Sequence, residues 1–216
     1  MFYETVTHPG GTTEGNANEG HALWLLRRAV RRRFDIDLTT DGGMLISWTA
    51  HRQVGESVTS YPRSIRLRPH LPVAKALTDA TCYDLLLIDS ARDARYSSVQ
   101  RVVTGGAWRI PPAATARLRA RGLVVVDDDH QVRQSLTARI GLFARSHRTR
   151  TTDPEGHYYP PGEGARRYSA ASVAICECGF ARHCGDRTEA RRHIAGHRHD
   201  VCSDFARSLV GALATA

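Results

Sequence analysis

Lysine is almost missing from this chain: Lys75 stands alone, so nearly all of the 30 basic residues are arginines. Arginine supplies planar, permanently charged side chains suited to phosphate. No stretch reaches the ~18 uninterrupted apolar residues a membrane span requires. The first twenty residues, MFYETVTHPGGTTEGNANEG, lack the charged and then apolar regions of a secretory signal. The expectation is a soluble, cytoplasmic protein with no membrane partner. No Ser/His/Asp array, phosphate-binding glycine loop or paired-carboxylate motif stands out, and there is no internal repeat, so no enzyme activity is expected. The five cysteines are too few and too unevenly spread for a disulfide scaffold. Four of them crowd between 176 and 202 beside several histidines, which in a reducing compartment favours metal over disulfides.

What is present is length and positive charge. At 216 residues with a formal charge of +8, the chain can bury a sizeable core and will attract polyanions. Residues 1–20, rich in Gly, Thr, Asn and Glu, read as a disordered tail. Residues 21–70 read as a helix and a small antiparallel sheet. Leu23, Leu26 and Val30 have helical spacing and share their segment with five arginines. Phe34, Ile36 and Leu38 then alternate with polar residues, and Met44, Ile46 and Trp48 do so again after Asp41-Gly42-Gly43, which predicts a hairpin. SVTSY and RSIRLRP supply one or two further strands.

Residues 71–145 predict three helices followed by a two-stranded hairpin. The first helix spans 71–95 and encloses Cys82, read as a buried apolar residue. The second runs from Tyr96 to Val103, closed by Gly105-Gly106, and the third opens on Pro111-Pro112. Leu123–Val126 and Gln131–Leu136 form the hairpin strands around Asp127-Asp128-Asp129. Leu118, Arg119, Arg121, Gly122, Leu123, Val124 and then Leu136-Thr137 resemble the L-x-x-R-G-L-V … L-T stretch of MarR-type winged-helix repressors, with one residue too many before Gly141. The resemblance implies a winged helix-turn-helix whose third helix enters the major groove of double-stranded DNA. Ten arginines against three aspartates between 101 and 150 agree with that. Arg117 and Arg121, four apart on one helix face, are the candidate groove residues, and Arg119 and Arg133 the candidate phosphate contacts. The triple aspartate should stay off the backbone.

Residues 146–170 read as a linker, and residues 171–216 as a zinc-finger-like module with a carboxyl-terminal helix. Cys176, Cys178, His193 and His197 form a C-x-C-x14-H-x3-H pattern. It resembles the two-cysteine, two-histidine zinc finger, whose spacing is C-x2–4-C-x12-H-x3–5-H. The resemblance implies one structural Zn. A bend at Glu177 backed by Gly179 would bring the thiols to the roughly 4 Å that a tetrahedral ion demands. His193 and His197 are i and i+4 on a helix that Asp186 and Glu189 cap. Cys184, His183, His199 and Cys202 are competing ligands. Val201, Phe205, Leu209 and Leu213 continue as an apolar stripe, core if covered and a homodimer seam if exposed.

The expected whole is an α+β, DNA-binding transcriptional regulator in which loss of zinc unfolds the tail first. The rivals are a non-enzymatic zinc-stapled interaction adaptor, and a metal-dependent nuclease or RNA-binding protein.

Overall fold

A computed structural model describes residues 1–39, 41–73, 77–152 and 171–212, a mixed α/β chain with several antiparallel sheets. The largest sheet has five strands: β1 (Phe2–His8), β2 (Gly11–Ala17), β3 (Asp35–Leu38), β4 (Met44–Val54) and β5 (Ser57–Pro69), in the order β2-β1-β5-β4-β3. Alternation fixes its faces. Ile36, Leu38, Met44, Ile46, Ile65 and Leu67 turn inward, and Arg66 and Arg68 turn out. Helix α1 (Glu19–Arg32) covers the inward face with Ala22, Leu25, Leu26 and Ala29, capped at its start by the Asn18 side chain. The helix and hairpin expected over 21–70 are therefore present.

The first twenty residues are not a tail. They form the β1–β2 hairpin, β1 pairs with β5 from Phe2 to Thr7, and Phe2 is only 1% exposed. A hairpin with few apolar residues looks unstructured alone. Here the backbone hydrogen bonds offered by the β5 edge, together with burial of Phe2, outweigh its weak propensity.

The second core is enclosed by α2 (Asp79–Ser90), β6 (Arg95–Ser97), β7 (Val102–Gly105), β8 (Trp108–Ile110), α3 (Pro112–Ala120), β9 (Val124–Val126) and β10 (Val132–Gln134). The helix expected across 71–95 is shorter, beginning after its Thr78 N-cap. The helix expected from Tyr96 to Val103 is absent. That stretch belongs to a three-stranded sheet, β6-β7-β8, whose hairpin turns at Gly105-Gly106 with Gly106 at φ 53°. Val102 and Val103 are β-branched, and Trp108 lies back over Gly105; these features favour a strand over a helix of seven or eight residues. The expected strand from Gln131 to Leu136 also ends early, because Ser135 caps the helix α4 (Leu136–Ser146).

Helix α4 is a shared wall: Leu136 and Ile140 enter the first core while Ala138 enters the second. Its start is tied to α1 through Glu19, whose Oε1 accepts from the Leu136 N–H at 3.1 Å and from Arg133 at 3.0 Å.

A third sheet, β11-β12-β13, comprises Thr149–Thr152, Ser172–Cys176 and Ala181–Cys184. Thus residues 149–152 of the expected linker are a strand, while 153–170 lie outside the described residues. Helix α5 (Arg187–Ala212) packs its first half on this sheet through Ala190 and Ile194, and its second half in the first core through Cys202, Phe205, Ala206 and Leu209. Of the apolar stripe of α5, Phe205 and Leu209 pack in the first core, Val201 is half-buried beside it, and Leu213 lies outside the described residues. Among the described residues, no helix is long and apolar enough to cross a membrane.

Candidate metal centre

Strand β12 ends at Cys176, and the chain reverses through Glu177, Cys178 and Gly179 before β13. The Cys176 N–H donates to the Phe180 carbonyl at 2.8 Å and the Gly179 N–H to the Cys176 carbonyl at 3.0 Å. Gly179 has φ 95°, a conformation that a side chain resists, so glycine belongs at this position. The bend removes the strand geometry that would hold the two thiols 6–7 Å apart.

From the other side comes His197 on α5, its ring stacked on Phe180 with centroids 4.2 Å apart. Its Nε2 is 3.3 Å from Cys178 Sγ. The ligand atoms of Cys176, Cys178 and His197 all lie within 4.8 Å of one another, so these three residues could hold a metal ion. Ligands bonded to one tetrahedral ion at 2.0–2.3 Å stand roughly 3.5–4 Å apart, close to this spacing.

Burial raises the Cys176 thiol above its ordinary pKa; the Cys178 backbone N–H opposes the rise, while the Cys178 thiol and Glu177 add to it. A bound cation would reverse that by stabilising the thiolate. Burial also lowers the His197 pKa, assisted by His147, and so favours the neutral imidazole that a metal requires.

His193, one turn earlier on α5, stands outside this group, and its Nε2 lies 3.6 Å from Glu189 Oε1. Asp186 accepts from the Glu189 N–H at 2.7 Å, and Glu189 accepts from the Gly185 N–H at 2.7 Å, much as the capping pattern requires. The competing ligands lie elsewhere. Cys184 is buried in the small core between β12 and α5, and Cys202 is buried in the first core near Leu38. His199 lies 4.0 Å from Asp35, and His183 is exposed on β13.

One neighbour was missed in the sequence. His147 follows the last residue of α4, its ring centroid 6.4 Å from that of His197 and 4.2 Å from that of Phe143. Fifty positions from His197, it has no local spacing to announce it.

The four candidate DNA-contacting arginines are all exposed but differently engaged. Arg117 and Arg121 line a hollow with Thr78, Thr81 and Asp84. Arg119 lies over the Tyr96 ring, 4.4 Å from its centroid, and Arg133 is paired with Glu19. A second basic surface lies on α1. Trp24 is 52% exposed and shares the outer helix face with Arg27, Arg28, Arg31 and Arg32, all exposed, and no carboxylate follows Glu19 on that helix. Arg28 lies over the Trp24 ring at 5.6 Å. Set against known proteins, the chain matches no family model, no curated protein and no solved structure.

Proposed function

We propose that the chain is a DNA-binding protein, regulatory rather than enzymatic, whose carboxyl-terminal part is stapled by one zinc ion. The observation that carries the DNA reading is the outer face of α1, a run of arginines around an exposed tryptophan with no carboxylate among them. Such a face follows a phosphate backbone by charge and offers a flat ring beside it. Arg117 and Arg121 on α3 add a second contact. Arg133 is a weaker candidate, since it is already paired with Glu19, whereas Arg119 lies over the Tyr96 ring as Arg28 lies over Trp24.

The arrangement of α3, β9 and β10 supports a winged-helix likeness, because the stretch around β6 runs beside β10. The Val132 N–H donates to the Ala94 carbonyl at 2.8 Å and the Tyr96 N–H to the His130 carbonyl at 2.9 Å. The β7–β8 hairpin takes the place of the second helix, so α3 would meet DNA without a helix-turn-helix partner. Zinc is the preferred metal because two thiolates and an imidazole form a soft, tetrahedral donor set.

Gel retardation on duplex DNA tests the reading. Binding should weaken steeply with salt, and Arg28→Glu with Arg31→Glu should reduce it by at least about tenfold at fixed salt. Arg117→Glu with Arg121→Glu should also weaken it. Absence of retardation at ~50 mM salt would overturn the proposal. Preference for duplex RNA in competition would transfer it to RNA.

A further inference from the structure

We infer that His147, not His193, is the fourth ligand of the metal held by Cys176, Cys178 and His197. The inference rests on those three residues binding metal and goes beyond it by naming the residue that closes the site.

Two features of His147 suit it to the role. First, its Nδ1 lies 3.0 Å from both the Phe143 carbonyl oxygen and Ser146 Oγ. In the tautomer that places the proton on Nδ1, facing that carbonyl, Nε2 keeps its lone pair. This is the arrangement in which the second ring nitrogen of a metal-bound histidine is fixed by a backbone carbonyl. Stacking on Phe143 holds the ring plane from one side.

Second, the backbone carries His147 to the cysteine turn. The Glu177 N–H donates to the Arg148 carbonyl at 3.0 Å, and Thr149 pairs with Cys176 across β11 and β12. The residue just before this ladder therefore lies beside the residues between the two thiols.

His147, like His193, stands outside the three residues whose ligand atoms already lie within 4.8 Å of one another, so the assignment requires its ring to move inward. Two imidazoles on one tetrahedral zinc, each bonded at about 2.0–2.1 Å, place their ring centroids roughly 5 Å apart. Those of His147 and His197 are 6.4 Å apart. The His147 side chain must close a difference of about 1.4 Å to share the ion with His197. His193 has instead the Glu189 carboxylate as its neighbour, on the same helix.

The assignment changes what the metal connects. With His193 the ion would join only the β12–β13 turn to α5. With His147 it joins that turn and α5 to the end of α4, the helix shared by the two larger cores.

X-ray absorption on the zinc-loaded full chain counts sulfur and imidazole ligands directly. The wild type should give two of each, and His193→Ala should keep both counts, with zinc affinity changed less than about threefold. His147→Ala should lose one imidazole and weaken zinc binding by well over about 100-fold, beyond the roughly 10–100-fold that loss of an outer-shell partner costs. His147→Cys should keep the site and raise the sulfur count to three, a positive signal that only a residue at the metal can give. A sulfur count that stays at two in folded His147→Cys, or an imidazole lost in His193→Ala, overturns the assignment. A wild-type chain that binds no zinc overturns the three-ligand site itself, a different result from either.

Discussion

Cys176 and Cys178 differ although they are two positions apart: the first is 2% exposed and the second lies open. Burial keeps Cys176 protonated at neutral pH, so a metal must displace its proton. Zinc affinity should therefore rise with pH between about 6 and 8, with a slope approaching one to two decades per pH unit for one to two displaced protons. Competition with a chromophoric chelator measures this, and a flat profile would contradict thiolate ligation. His197 should contribute little to the slope above neutrality, since its pKa is already lowered. The cysteine pair and His197 could be read from the sequence because their spacing is local: a bend at a glycine and one helix suffice. His193 fits the same spacing equally well, and only the side-chain arrangement separates it from His197. His147 could not be read at all, because its approach depends on the pairing of β11 with β12.

Among the glycines in the described helices, Gly141 of α4 has the least room for a side chain. A Cβ at Gly141 would stand 2.5 Å from Val73 Cγ1 and 2.9 Å from Leu77 Cδ1. Alanine in a helix interior is favoured over glycine by roughly 1 kcal/mol, whereas forcing a methyl group into a packed core costs about 1–3 kcal/mol. Gly141→Ala should consequently destabilise the chain by up to about 2 kcal/mol, read as a lower denaturant midpoint with an unchanged slope. A gain in stability would mean that the Val73 and Leu77 side chains give way easily. The legibility of elements follows the same division between local and distant causes. Strands β3 and β4 and helix α1 declare themselves by apolar period. The β1–β2 hairpin is weakly apolar and the strands β6, β7 and β8 are only three or four residues long, so these elements are held by partners distant in sequence or by a turn at Gly105-Gly106.

Across the whole molecule, α4 and α5 make the separate cores depend on one another. Leu136 and Ile140 share the first core with Cys202, Ala206 and Leu209 of α5, and Ala138 of α4 enters the second. Sequence reasoning divided the chain at 146–170 and expected zinc loss to release an independent tail. With the second half of α5 built into the sheet core, chelation should instead lower the thermal midpoint of a single transition. Calorimetry with and without a strong chelator tests this, and two resolved transitions after chelation would restore the independent tail. The dependence was hidden in the sequence because the stripe Val201, Phe205 and Leu209 shows that α5 is covered, but not by what.

The long α5 also bears on how portable its finger-like end can be. A ββα finger that ended soon after its second histidine could be cut from one protein and grafted onto another. Here the same helix runs on from the metal site to Ala212 and carries three side chains into a core built by the amino-terminal sheet together with α1 and α4. Excised, residues 171–212 would expose Cys202, Ala206 and Leu209 to water and to each other's copies. This end of the chain is thus not a transferable cassette, and any lineage that exchanged it would have had to exchange the amino-terminal sheet with it.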